Sequence, residues 1–73
     1  MITYEPFWNT LKHSSETTYT LIHKHNINST TITRLRNNEP VTTRTLNDLC
    51  RILKCELHEI VIYIDEEAEN ENK

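Results

Sequence analysis

The 73-residue sequence contains no glycine. That absence excludes the Gly-rich phosphate loops and dinucleotide fingerprints, whose tight backbone cannot carry a Cβ, and it excludes collagen-like and Gly/Ser-linker architectures. Long hydrophobic stretches are also missing. The longest apolar run, Ile60 to Ile64, has five residues, where about 20 are needed to cross a bilayer. The opening Met1-Ile2-Thr3-Tyr4-Glu5 lacks the basic-then-apolar pattern of a secretory signal. Two cysteines, five positions apart, are too few for a disulfide-dense scaffold, so reduced thiols and a cytoplasmic protein are expected. What is present in quantity is Thr, Asn and Ile, and the 36% apolar content suits one small core in one domain.

The net charge of −3 argues at first against a polyanionic partner, but the charge is segregated. Residues 65–73 hold five acids and one lysine, whereas residues 1–64 hold seven Lys/Arg against six Asp/Glu. Between His23 and Lys54 stand Lys24, Arg34, Arg36, Arg44, Arg51 and Lys54 against only Glu39 and Asp48. A basic binding face followed by an acidic tail fits this pattern. The domain is therefore expected to span residues 1–64, with 65–73 an acidic disordered tail.

Periodicity and punctuation predict five short helices. The first runs from about Glu5 to His13, with Pro6 in its first turn and Phe7, Trp8 and Leu11 on one stripe. The second follows Thr17 as N-cap, turns Leu21 and Ile22 inward, and stops at His25-Asn26, where Asn tolerates a left-handed backbone. Ile27 plugs the turn. The third begins at Ser29 behind Asn28 as cap, has only Ile32 and Leu35 as apolar contact, and ends at Asn37-Asn38 before Pro40. The fourth follows Thr42 and carries Leu46, Leu49, Cys50 and Leu53, the strongest amphipathic pattern in the chain. A fifth is predicted from Leu57 to about Ile64 with Leu57, Ile60, Val61 and Ile64 inward. Val61-Ile62-Tyr63-Ile64 also reads as a strand, an alternative its β-branched content keeps open.

Helix two, a tight turn and helix three, about Thr17 to Asn38, form a helix-turn-helix in which the first helix braces the second. The second has a narrow apolar seam, and its free face holds hydroxyls and two arginines with no acid. That chemistry suits a DNA major groove, where Arg pairs with guanine O6/N7 and hydroxyls serve either base edge or phosphate. The stretch from Leu21-Ile22-His23-Lys24-His25-Asn26-Ile27-Asn28 through Ser29-Thr30-Thr31-Ile32-Thr33-Arg34-Leu35-Arg36-Asn37-Asn38 resembles the lambda-repressor-like, Cro-type helix-turn-helix. More narrowly it resembles the small stand-alone branch of the xenobiotic-response-element-like regulators. The resemblance extends upstream to Phe7-Trp8 and Leu11 and downstream through Leu46, Leu49, Leu53 and Leu57 to Ile60.

The resemblance implies an all-α, compact five-helix domain that binds double-stranded DNA as a transcriptional regulator, in particular a repressor. It implies that Ser29, Thr30, Thr33 and Arg34 occupy base-reading positions. Thr17 and Thr18 match the phosphate-gripping start of the bracing helix, and Asn37 and Arg44 match backbone-contacting positions after the recognition helix. Lys24 on the bracing helix and Arg36 are further candidates for phosphate, although Arg36 equally suits the helix C-terminal dipole. Three residues depart from the pattern. Ile22 stands where a small residue is usual and sets the two helices farther apart, Asn26 replaces the turn glycine, and Arg36 replaces an acid. Short relatives of this type pair as homodimers, and Ile62 and Tyr63, off the stripe of the fifth helix, are the expected interface. Packing against helix one and Trp8 is an equal alternative.

Other constellations are weaker. His23 and His25, two apart on a helix, point to different faces and cannot chelate together. Cys50, Cys55 and His58 lack a fourth zinc ligand, and Cys50 lies in an apolar stripe, so neither metal nor cofactor is expected. His13, Ser14, Ser15 and Asp48 have no triad spacing, and the chain is short for a core plus a substrate pocket, so no enzymatic activity, small-molecule substrate or membrane contact is expected. The competing function is a protein-interaction module of the same fold, antitoxin-like or defence-inhibiting.

Overall fold

The computed structural model describes residues 1–65. The elements run β1 (Ile2–Thr3), α1 (Glu5–Lys12), α2 (Thr18–His23), α3 (Ser29–Arg36), α4 (Thr43–Leu53), a 3-10 turn (Leu57–Glu59) and β2 (Ile62–Tyr63). The domain is thus mostly helical, with four α-helices among the described residues and a small antiparallel sheet in which Ile2 faces Tyr63 and Thr3 faces Ile62. The acidic segment from Glu66 onward lies outside the described residues.

Capping explains where the helices start. Thr17 Oγ1 accepts the Thr20 N–H while Thr20 Oγ1 accepts the Thr17 N–H, a reciprocal box at the head of α2. Asn28 Oδ1 accepts from Thr30 N–H at α3, and Thr42 Oγ1 accepts from Thr45 N–H at α4. Left-handed residues explain where helices stop. Asn26 (φ 60°) follows α2 and Asn38 (φ 56°) follows α3. After α4 the left-handed residue is Lys54 (φ 53°), which its sequence context does not announce.

Apolar stripes from all four helices meet in one core: Tyr4, Phe7, Leu11, Leu21, Ile27, Ile32, Leu35, Leu49 and Ile60 are buried. On α4 only Leu49 is fully enclosed, with Leu46, Cys50 and Leu53 half-buried against it. Ile22 is likewise half-buried. Phe7 and Trp8 meet edge to face at 4.9 Å, a favourable ring geometry.

The five-helix count is corrected: the described residues hold four α-helices, and a small strand pair is added to the mostly helical domain. The region of the expected fifth helix is a single 3-10 turn followed by a strand, and Leu57 is 53% exposed instead of inward. Ile60 alone in that region is fully buried, and its carbonyl accepts from Phe7 N–H at 3.2 Å. The reason is a local strand propensity settled by a distant partner. Val61, Ile62 and Ile64 are β-branched, and the extended Ile2–Thr3 lies alongside to complete the ladder, with Ile64 N–H donating to the Met1 carbonyl at 2.8 Å. Ile62 and Tyr63 therefore pair with β1 through their backbones, and both side chains are exposed.

Candidate nucleic-acid interface

The turn between α2 and α3 is closed by its own backbone. Lys24 and His25 N–H groups both donate to the Thr20 carbonyl, and Ile27 N–H donates to the Leu21 carbonyl at 2.9 Å. Ile27 is buried, and Leu21, Ile32 and Leu35 join it in the core. With its seam spent on Ile32 and Leu35, α3 leaves Ser29, Thr30, Thr33 and Arg34 exposed, and Thr31 half-buried. The exposed Thr33 donates its hydroxyl proton back to the Ser29 carbonyl at 3.3 Å, so toward a ligand its oxygen is free to accept. Arg34 makes no ion pair among the described residues.

The expected phosphate-facing residues divide by environment. Thr17 is exposed and its oxygen already accepts the cap hydrogen bond, so its hydroxyl proton is what it can offer to an anion. Thr18 is half-buried, while Lys24, Asn37 and Arg44 are exposed. Arg36 is exposed but stacked, its guanidinium carbon 5.1 Å from the Trp8 ring centroid. Arg51, counted among the basic residues of the central segment, lies 3.6 Å from Asp48 one turn earlier.

Behind the turn sits a polar latch that the sequence pattern does not reveal. The Thr20 hydroxyl donates to Glu16 Oε1 at 2.7 Å, and His25 Nε2 lies 3.2 Å from the same oxygen. The imidazole thereby sits directly beside the carboxylate, its side chain and that of Glu16 both largely shielded from solvent. The Thr20 hydrogen bond holds the Glu16 carboxyl below its ordinary value; burial opposes the shift, and the charges of His25 and Lys24 reinforce it.

The cysteines belong to the packing. Cys50 and Cys55 are free and half-buried, and burial pushes the Cys55 thiol up to about 11, helped by Cys50 and Glu59 beside it. A thiol so placed stays protonated and is a poor nucleophile at neutral pH. No three His, Cys, Asp or Glu side chains converge as a metal-binding group among the described residues. No helix there is long and apolar enough to cross a membrane.

A braced, capped helix with an acid-free outer face defines the chain as a helix-turn-helix domain. The sequence model of the Cro/C1-type HTH DNA-binding domain matches residues 7–66, and the chain belongs to that family. Comparisons with curated proteins and with solved structures give no match. The match begins at Phe7, so it omits β1 and Tyr4, and it covers the whole of α2, α3 and α4.

Proposed function

We propose that this DNA-binding domain is a sequence-specific transcriptional repressor that reads the major groove with α3. The observation that carries the reading is the outer face of α3: Ser29, Thr30, Thr33 and Arg34 are exposed together, and no acid occurs between Asn28 and Asn38. Arg34 supplies a two-pronged donor for guanine, and the three hydroxyls serve base edges or the sugar-phosphate backbone. Thr17, Thr18, Lys24, Asn37 and Arg44 are assigned to phosphate. Arg36 joins them only through the guanidinium edge that Trp8 leaves uncovered. Such contacts fix register and orientation and carry little sequence information.

The repressor acts as a homodimer in the cytoplasm, where it meets the chromosome. Support for pairing comes from the exposed Ile62 (40%) and Tyr63 (69%) on β2. Two copies would place their α3 helices about 34 Å apart, one turn of DNA, and would favour an inverted repeat.

Selection of duplexes from a random pool by the full chain tests the proposal. Enrichment of a defined, pseudo-palindromic sequence, bound with a steep negative slope of log K against log salt, is expected. Recovery of no preferred sequence, or an affinity insensitive to salt, overturns it in favour of a protein-binding use of the same helices.

A further inference from the structure

The C-terminal end of α3 is held from outside the helix-turn-helix by two aromatic residues, Tyr4 and Trp8. Tyr4 holds it twice. Its backbone N–H donates to Asn38 Oδ1 and its phenol donates to the Glu39 carbonyl, each at 2.9 Å. Trp8, one turn along α1, donates its indole N–H to the Leu35 carbonyl at 3.4 Å and lies beneath the Arg36 guanidinium.

One acceptor, the Leu35 carbonyl, belongs to the last turn of α3; the other two, Asn38 Oδ1 and the Glu39 carbonyl, belong to the turn that ends it. The last four carbonyls of a helix have no partner within it. Here Glu39 N–H takes the Arg34 carbonyl at 2.9 Å across the left-handed Asn38, closing a Schellman turn. The Glu39 carbonyl in turn takes the Tyr4 phenol. A continuous chain of hydrogen bonds thus runs from the Arg34 backbone through Glu39 to a ring buried in the core.

From this geometry we infer that Tyr4 and Trp8 are positioning residues for sequence reading, fixing the seat of α3 so that Arg34 meets a base edge. The inference rests on α3 being the reading helix. Paired hydrogen bonds to a base tolerate about 0.5 Å of misplacement, whereas long cationic side chains on phosphate adjust freely. Loosening the clamp therefore removes discrimination before it removes general affinity. A role in the core alone would lower stability and leave discrimination intact.

Tyr4→Phe keeps the ring and deletes the phenol hydrogen bond; the Glu39 carbonyl, on an exposed residue, then turns to water. Trp8→Phe deletes the indole donor and the larger face under Arg36. Each variant and the parent are titrated with the duplex the parent selects and with its scrambled counterpart, at a temperature where circular dichroism shows all three folded. The ratio of the two dissociation constants is expected to fall about three- to tenfold in each variant, the equivalent of one hydrogen bond, with scrambled-duplex affinity and salt slope unchanged. Should Tyr4→Phe not fold, Trp8→Phe decides. An undiminished ratio overturns the inference, whatever happens to the melting temperature. A parent that selects no duplex removes the reading of α3 itself and the clamp's purpose with it.

Discussion

Glu16 Oε1 stands 3.2 Å from His25 Nε2, so the residue before the N-cap of α2 reaches the turn after the helix. The Thr20 hydroxyl completes the latch at 2.7 Å. Because the folded state depresses the Glu16 value, its stabilisation is present above the unfolded carboxylate range, near pH 4.3, and is lost as pH falls through the lower folded value. Glu16→Gln should melt below the parent at pH 7, and the gap should close in acid below that range. Equal melting temperatures at both pH values would show that the latch contributes nothing.

Leu49 is the one fully enclosed residue of α4. Its replacement by alanine is expected to cost about 2–5 kcal/mol, a large share of the stability of a domain this small. Chemical denaturation measures it. A Leu49→Ala midpoint matching the parent's would contradict the inward face assigned to α4.

Lys54 holds a left-handed backbone with a Cβ, which costs an L-residue about 1 kcal/mol. Lys54→Gly removes the clash, against some loss of chain entropy. A net gain of a few tenths to about 1 kcal/mol is expected. Destabilisation on thermal melting would mean that the lysine side chain stabilises the end of α4 by more than its backbone costs.

How much of this was legible in the sequence depends on contact range. Caps at Thr17, Asn28 and Thr42, the inward Leu21, Ile32, Leu35 and Leu49, and the left-handed Asn26 and Asn38 are local consequences of side-chain chemistry, and the structure has them there. The β1–β2 ladder is different. Ile2 and Tyr63 are at opposite ends of the domain, and a two-residue strand has no period to detect. With Val61 to Ile64 open to either reading, only the partner strand decides. The same limit hid the Tyr4–Glu39 bond, which spans 35 positions, and the stacking of Arg36 on Trp8. Leu57 shares a helical stripe with Ile60, Val61 and Ile64 in sequence, but the 3-10 turn breaks that period and leaves Leu57 exposed.

The dimer assignment is tested through β2. Sedimentation at micromolar concentration should show the parent paired and Ile62→Glu monomeric, since a charge on each copy would face its like across a two-fold axis. A parent that stays monomeric, free and on DNA, removes the assignment.

Arg34 and Lys24 are both exposed and basic, yet reading by α3 gives them different tasks. Arg34→Ala should lose about 1–3 kcal/mol of preference for the selected duplex, while Lys24→Ala should weaken selected and scrambled duplexes alike and flatten the salt slope by about one contact. Titrating both variants on both duplexes at two salt concentrations is the decisive measurement. Collapse of the selected-to-scrambled ratio in Arg34→Ala alone is the expected result; an Arg34→Ala protein with its full preference intact would contradict α3 as the reader.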